Sequence, residues 1–535
     1  MGCRGVSADV RSPNRASARR LSAARRRTSP WFWCGVLFLA ALPACISSES
    51  SSLPPRNVLT IGFPEGAVTG TELGLGQLTT NFTLEGLTQV SVDGRVLPRL
   101  AESWTWENEF LTLRLNLRPD VWFHDGTALT STVVADSLRQ AIARPGNQAL
   151  YPSLSDIKLV KSAGDRQLVL DLSERSGFLL EELDLPLGIG PQTVGTGAFR
   201  LVTKDATGVI LERFDRYYLG TPEVERIVIR PFDTLRAAWT SLLRGEVDMV
   251  TDVPPEAVEF VGNDDVQVVS FERRYQFLIA FNSQKAPFTS AAVRRALNAA
   301  VNRQALIANV LQGKGELATS PLWPKHWAYD ASIQPYSFDP QFAQSSLDAA
   351  GFRDGASAGS ADLAPARLRF TCLLPENFSL LERVGLEVQK QLYDVGVDMQ
   401  FEVLPIQEWD ARIRESRFDA ALIDMISGPT FARPYIFWRS ARQSKGFNFF
   451  GYENRETERL FQILRTSMNE AAVRSATHRL QRALLDDPPA LFLVWNERAR
   501  AVTRQFRIAG EPGRDPLHTI WQWTENTDSE PIPTQ

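Results

Sequence analysis

From residue 57 onward, apolar and polar positions follow the periods of strands and helices along most of the chain. Residues 57–63 form a short apolar run that ends at a proline, which predicts a buried first strand. Residues 111–117 alternate apolar and polar side chains, a period typical of a half-buried strand. Thr130 precedes apolar residues at helical spacing and predicts the cap of a helix that reaches residue 142.

The second half of the chain is predicted to alternate between helices and strands. Residues 291–311 have apolar side chains at helical spacing, with Thr289 or Ser290 as the cap. A last apolar strand is predicted at residues 491–495. Between them, strands and helices are predicted to alternate at residues 368–372, 380–395, 398–403, 406–415 and 419–423. This alternation is typical of an α/β fold, which is the fold class we expect.

The chain is long enough for more than one packed unit. Its 535 residues are 44% hydrophobic and 22% charged, which is a globular composition, and a single core rarely extends beyond about 250–300 residues. Residues 353–361 are rich in glycine, alanine and serine and are predicted to form a surface loop. The polar residues 526–535 are predicted to be a disordered tail.

Residues 1–44 differ in composition from the rest and are predicted to be a signal peptide. They hold eight arginines and one acidic residue, and their apolar run, residues 31–44, is shorter than the ~20 residues of a membrane-spanning helix. The Leu-Pro-Ala-Cys sequence ending at Cys45 resembles the lipobox of bacterial lipoproteins, with proline as a departure. We therefore expect Cys45 to carry lipid; a short membrane anchor or a buried cysteine is the alternative. The Ser- and Pro-rich residues 45–56 would form a flexible tether.

Charge and reactive residues argue against several functions. Without the eight arginines and one aspartate of the signal peptide, the formal net charge changes from −4 to −11, which disfavours nucleic-acid binding. The sequence contains no nucleophile elbow, zinc-protease motif, Cys-x-x-Cys pair or phosphate loop, and its four histidines are scattered. We therefore predict no enzymatic activity, no cofactor and no metal site. With Cys45 lipidated, only Cys372 would remain free, so we expect no internal disulfide.

A series of short motifs along the chain resembles one protein family. The motifs are Glu85-Gly-Leu87, residues 97–104, residues 115–126, Gly195-Thr-Gly-Ala-Phe199, residues 218–222, Gly245-Glu-Val-Asp248, Phe281-Asn282, Pro287-Phe288, residues 293–303, Phe338-Asp-Pro340 and Ala349-Ala-Gly351. In their order and spacing, over residues 57–500, they resemble the extracytoplasmic solute-binding proteins that serve oligopeptide, dipeptide and nickel importers. Most of the motif residues also have a structural explanation, such as a tight turn at glycine.

The resemblance implies a two-lobed periplasmic-binding-protein fold, of type II in its large cluster C form, with a hinge between the lobes. The implied units are lobe I at residues 57–284 and 491–525, including a small subdomain at about residues 81–195, and lobe II at residues 285–490. The chain would cross between the lobes near residues 281–282 and near residues 491–495.

The same resemblance implies the receptor of an ABC importer. It would capture a peptide or peptide-like ligand between lobes that close like a hinge, and deliver it to the permease subunits. We expect a monomer at the periplasmic or extracellular face, held to the membrane by its lipid anchor. The alternatives are a non-peptide ligand, such as a sugar, an opine or a metal chelate, and a sensing or surface lipoprotein without transport.

The resemblance also implies ligand-binding positions, which are Thr251, Asp252, Tyr275, Phe277, Asp424, Met425 and Gly428. Strand packing is the alternative for the two aromatic residues, and solvent exposure is the alternative for Asp252. Peptide receptors of the family commonly carry a Trp-x-x-Asp whose aspartate binds the ammonium group of the peptide, and Met425 and Gly428 stand at those two positions. The amine anchor is therefore expected to be missing, unless Asp424 replaces it; a turn-capping role is the alternative for this aspartate.

Overall fold

The structure of the protein is a computed structural model that describes residues 57–64, 74–144, 146–190, 194–263, 265–353, 366–440 and 447–526. The predicted signal peptide, the lipidation site Cys45, the tether, and most of the predicted loop and tail lie outside these ranges. None of the helices in the described ranges is long and apolar enough to cross a membrane.

The strands are numbered here in chain order. They are β1 (Val58–Pro64), β2 (Thr88–Val90), β3 (Val96–Pro98), β4 (Ala101–Glu107), β5 (Thr112–Leu117), β6 (Ile157–Ser162), β7 (Gln167–Leu172), β8 (Phe199–Asp205), β9 (Gly208–Arg213), β10 (Arg226–Phe232), β11 (Met249–Val253), β12 (Val266–Phe281), β13 (Glu316–Leu317), β14 (Leu368–Pro375), β15 (Val397–Leu404), β16 (Ala420–Ile426), β17 (Ala490–Thr503), β18 (Phe506–Arg507) and β19 (Thr524–Glu525).

The α-helices are numbered in the same way. They are α1 (Leu75–Thr83), α2 (Ser131–Ala143), α3 (Asn147–Leu150), α4 (Leu179–Glu182), α5 (Leu235–Leu243), α6 (Val258–Val261), α7 (Ala291–Ala299), α8 (Arg303–Asn309), α9 (Pro340–Ala349), α10 (Ser379–Tyr393), α11 (Ile406–Arg414), α12 (Ala432–Trp438), α13 (Arg455–Thr466) and α14 (Glu470–Asp486).

Side-chain caps decide where several helices begin. The predicted cap of α2 is confirmed, because the hydroxyl of Thr130 accepts the backbone N–H of Val133 at 3.3 Å. The single helix predicted over residues 291–311 is wrong, since two helices, α7 and α8, occupy that stretch. The side chain of Asn302 accepts the backbone N–H of Ala305 at 2.9 Å. An asparagine in this role starts a new helix, which interrupts the apolar periodicity without erasing it.

One large sheet runs through the molecule in the order β15-β14-β16-β12-β17-β11-β1-β10-β9-β8, with β13 beside β17. In the half of the sheet that begins at β15, β14 pairs in parallel with β15 and β16. In the half that ends at β8, β1 pairs in parallel with β10 and β11. The long antiparallel strands β12 and β17 join these two halves, and their register shifts between Glu272 and Gln276.

Separate hydrophobic cores support the two halves. Two clusters cover the half that contains β14, β15 and β16, one built with α7, α8 and α10 and the other with α12, α13 and α14. Two further clusters support β1, β10 and β11. A four-stranded sheet, in the order β4-β5-β7-β6, packs with α2 around a core of its own. The predicted α/β class is confirmed.

Most predicted strands are confirmed to within a few residues, and the last one shows where the pattern misleads. The apolar pattern predicts a strand only at residues 491–495. The observed strand β17 continues to Thr503 through the charged residues Glu497, Arg498 and Arg500. These charged side chains form ion pairs or hydrogen bonds with neighbouring segments. Pairing with β11 and β12 holds this part of the strand, and that pairing is not visible in local periodicity.

Candidate ligand-binding cleft

A cavity of about 330 Å³ lies where β12 passes from one half of the sheet to the other. One wall is formed by residues 271–275 of β12. Facing walls come from residues 84–92, residues 181–186, residues 426–433 and residues 513–518. The cavity is therefore lined by β12, the end of β16 and segments outside the large sheet that are far apart in the sequence.

Charged side chains dominate the lining of this cavity. The basic residues are Arg99, Arg273, Arg274, Arg433 and Arg514, and the acidic residues are Glu85, Glu181, Glu182, Asp184, Glu272 and Asp515. Charges of both signs at this density favour a polar ligand that carries charge of its own, because an apolar ligand would leave these groups desolvated without partners.

Glu85 is buried, and its carboxylate already has several hydrogen-bond and ion-pair partners within the protein. Its oxygens accept hydrogen bonds from Tyr217 at 3.0 Å, from Tyr218 at 3.3 Å and from Thr196 at 2.8 Å. Arg99 forms an ion pair with the same carboxylate at 2.5 Å. Because buried charges are stable only when paired and hydrogen-bonded, we assign this glutamate to the scaffold of the cleft rather than to the ligand.

The glycine motifs of the sequence meet beside Glu85. A Cβ added to Gly86 would lie 2.6 Å from the backbone of Asp184, and one added to Gly195 would lie 2.0 Å from the carbonyl oxygen of Thr83. Neither distance leaves room for a side chain. The two motifs therefore bring backbone segments into contact, so that Thr196 reaches the Glu85 carboxylate.

Arg273 connects two of the residues that the sequence analysis selected. Its guanidinium forms an ion pair with Asp424, and both side chains are 4% exposed. The guanidinium carbon also lies 3.8 Å from the ring centroid of Tyr275, which lines the cavity. The negative face of an aromatic ring attracts a cation placed over it. Asp424 thus holds Arg273, and Arg273 supports the tyrosine in the cavity wall.

Two adjacent acids on the opposite wall are kept from ionising by burial. Burial raises the pKa of Glu181 to about 8, and it raises the pKa of Glu182 well above its usual range. The side chain of Glu181 accepts the backbone N–H of Ala432 at 3.0 Å, and that of Glu182 accepts the backbone N–H of Ser153 at 2.7 Å. Burial therefore disfavours the ionised form of both acids and reduces the negative charge that they add to the cleft.

A comparison with known families decides where this architecture belongs. Residues 95–448 match the model of the bacterial extracellular solute-binding proteins, family 5, middle region. The chain belongs to this family. Proteins of this kind bind solutes for ABC importers, so a solute-binding cleft is the expected functional site of this chain.

Relatives by sequence cover most of the chain. The oligopeptide-binding protein AppA of Bacillus subtilis is 23% identical over 548 residues, which span 93% of this chain and 99% of AppA. The glutathione-binding protein GsiB of Salmonella typhimurium is 28% identical over 382 residues, which span 67% of this chain and 70% of GsiB.

Solved structures share the two-lobed fold of family 5. NikA from Brucella suis in complex with Fe(III)-EDTA has a TM-score of 0.76 at 19% identity and covers 88% of this chain and 100% of its own. Bacillus subtilis AppA in complex with a nonapeptide has a TM-score of 0.72 at 20% identity, with 88% and 99% covered. The predicted two-lobed fold is thereby confirmed.

The seven family-5 ligand positions selected from the sequence are not all at the cavity. Tyr275 and Gly428 line it, and Asp424 reaches it through Arg273. Phe277 and Met425 lie in hydrophobic clusters and are not among the lining residues. Phe277 pairs with Asp424 and Met425 pairs with Gln276 across β12 and β16, and the two side chains pack into different clusters of that half.

Thr251 and Asp252 lie on β11, away from the cavity lining. The carbonyl oxygen of Thr251 accepts a hydrogen bond from Arg500 at 2.7 Å, and Asp252 forms an ion pair with Arg498 at 3.4 Å. These contacts tie β11 to β17. In this conformation both residues act within the protein rather than toward the cavity.

Gly428 stands where peptide receptors of the family carry an aspartate, and the structure gives a steric reason. A Cβ added to Gly428 would lie 2.8 Å from the ring of Trp323. The indole N–H of Trp323 donates to the carbonyl oxygen of Val92 at 2.8 Å, which fixes the ring. The tryptophan therefore occupies the space that an acidic side chain at position 428 would need.

Sequence reasoning missed most of the charged lining. Arg273 and Arg274 directly precede the selected Tyr275, so their proximity was a usable signal. No signal in the sequence pointed to Asp184 or Arg514, because neither lies in a motif and they meet only in the tertiary structure. Among the residues that the structure describes, no group of three His, Cys, Asp or Glu side chains could hold a metal ion.

Proposed function

We propose that this protein is the lipid-anchored receptor of an ABC importer, which captures a peptide or peptide-like ligand between its lobes and delivers it to the permease. The observation that carries the proposal is the charged cavity walled by β12, the end of β16 and segments distant in the sequence. Family membership supports its use for a solute. The signal-peptide features and Cys45 support a position at the periplasmic or extracellular face.

The lobes we propose are residues 57–284 with 491–525, and residues 285–490. The register shift between Glu272 and Gln276 supports a flexing point inside β12, several residues before the crossover predicted at residues 281–282. Few ladder hydrogen bonds need to break there when the halves rotate. The cavity lies at the same level of the strand, so rotation would open it.

Cavity size supports a short ligand. Pockets for drug-sized ligands usually enclose about 300–1,000 Å³, and the cavity of about 330 Å³ is at the lower end of that range. A di- or tripeptide fits this volume better than the nonapeptide held by AppA. Glutathione, for which GsiB is named, is of suitable size.

A small non-peptide anion is the second candidate. Two structures of similar fold hold such ligands, NikA with Fe(III)-EDTA and AgaA from Agrobacterium with agropinic acid. Both ligands contain carboxylate groups, and the cavity offers several arginines. This candidate keeps the receptor function and changes only the solute.

The test is to identify what the protein carries. The full-length gene is expressed in a bacterial host, and the processed protein is purified from membranes and analysed by native mass spectrometry before and after unfolding. A short peptide released on unfolding would support the proposal, with protein refolded without ligand as the control. A non-peptide anion would favour the second candidate. A protein that neither carries nor takes up any solute from a growth-medium extract would contradict the receptor function.

A further inference from the structure

Arg274 differs from the other arginines that line the cleft because its guanidinium makes no direct ion pair or hydrogen bond within the described residues. It lies on β12 in the cavity wall and is half-buried. Among the described residues, no ion pair or hydrogen bond to its guanidinium is present. The other lining arginines Arg99, Arg273 and Arg514 are paired with Glu85, Asp424 and Glu511, and Arg433 donates to the carbonyl oxygen of Leu150. Placing an unpaired cation in a partly desolvated wall costs stability.

A second guanidinium increases that cost. Arg514 is buried in the same cavity, and its partner Glu511 lies 3.3 Å away on the exposed side. Burial lowers the pKa of Arg514, and the positive charge of Arg274 lowers it further. Two like charges on facing walls of one cavity form a region of positive potential inside the cleft.

Acids nearby offset this potential only in part. Burial raises the pKa of Asp184 to about 6, and the positive charge of Arg274 is the main influence that opposes the shift. Burial also disfavours the ionised forms of Glu181 and Glu182 by raising their pKa values. Burial lowers the pKa of His518 to about 3, so this histidine is neutral and adds no positive charge.

We propose that Arg274, flanked by Arg514, binds a carboxylate of the ligand, which for a peptide is its C-terminal carboxylate. A guanidinium matches a carboxylate with two parallel hydrogen bonds, and a bound carboxylate would remove the repulsion between the two arginines. The inference rests on the proposed function, because it assigns the recognised group of the solute in the same cleft. It places the anchor of a peptide at its C-terminus, while position 428 offers no acid for the amine.

The test compares three forms of one mixed-sequence tripeptide library: unmodified, C-terminally amidated and N-acetylated. Each form is titrated against the full-length, processed protein, with native mass spectrometry and calorimetry as readouts. A charge-assisted hydrogen bond contributes about 1.5–3 kcal/mol, so amidation should weaken binding about tenfold to a hundredfold. N-acetylation should change the affinity about threefold or less, since no acid anchors the amine.

Matched variants identify the arginine. R274Q should bind the free and amidated forms within about threefold of each other, and R274K should keep part of the preference. R236Q is the control, because Arg236 is an exposed arginine of α5 outside the cavity and should leave the preference unchanged. Without ligand, R274Q should melt close to the wild type, since it loses no direct ion pair, and the lost attraction for Asp184 is offset by relief of the repulsion with Arg514.

The outcomes separate the inference from the function on which it rests. Equal binding of free and amidated peptides by the wild type, or a full preference retained in R274Q, would overturn the carboxylate assignment and leave the peptide receptor standing. No binding of any form would contradict both. An unliganded R274Q that melts well below the wild type would show that the Arg274 guanidinium has a direct internal partner and would overturn the inference.

Discussion

The buried ion pair between Arg273 and Asp424 offers a sharp test of how the cleft wall is held. Both side chains are 4% exposed, and the Arg273 guanidinium lies 3.8 Å from the Tyr275 ring. Burial lowers the pKa of Arg273, but the charge of Asp424 offsets this and the net shift is upward. The arginine therefore stays charged, and Asp424→Asn would leave a buried cation without its counter-ion.

The expected loss is about 3–5 kcal/mol, the cost of removing one partner from a buried pair. Asparagine keeps the shape and one acceptor oxygen, which places the loss at the lower end of that range. For a folded unit of roughly 480 residues, the entropy of unfolding is about 1 kcal/mol per kelvin, so the melting temperature should fall by about 3 °C.

The assay is a double-mutant cycle with Arg273→Met, measured by denaturant and thermal unfolding. If the pair is the cause, the double variant should be destabilised much less than the sum of the two single variants, because apolar replacements of a buried pair are often tolerated. Asp410→Asn is the control, since Asp410 pairs with Arg414 on the surface and should cost less than about 1 kcal/mol. Additive effects, or an Asp424→Asn protein as stable as the wild type, would refute this account.

Three further predictions concern the anchor, closure and pH. Cys45→Ala should abolish labelling by a palmitate analogue while Cys34→Ala keeps it; continued labelling of the Cys45 variant would contradict the lipoprotein assignment. A bound solute should decrease the radius of gyration in solution scattering and raise the melting temperature, because it binds only the folded, closed form; no change in either would contradict hinge closure. Burial raises the pKa of Glu181 to about 8 from 4.5, so the folded state favours its protonated form, and the associated stability is lost as pH rises between these values. Glu181→Gln should therefore match the wild type near pH 4 and melt higher above about pH 8, and a constant difference across the range would disprove the assignment.

Much of the secondary structure could be predicted from local pattern. Alternation marked β5, and the α/β succession after residue 365 was recognisable because each strand and helix carries its own apolar period. Thr130 predicted the start of α2, because a capping side chain bonds a backbone N–H group only three residues away. The motif series was sufficient to name the family, which the match over residues 95–448 confirmed.

The chemistry of the cleft was decided by contacts between distant segments. Arg273 finds Asp424 on another strand, and Gly428 is kept free of a side chain by Trp323, about a hundred positions earlier. Whether a charged residue is paired, buried or left facing a ligand depends on which segments the sheet brings together. The sequence by itself determined the periodic elements and the family, because these rest on local hydrogen bonding and burial. Only the tertiary structure decided that Asp424 forms an ion pair with Arg273 and that the Arg274 guanidinium has no direct partner among the described residues. Electrostatic pairing acts through space and leaves no periodic pattern along the chain.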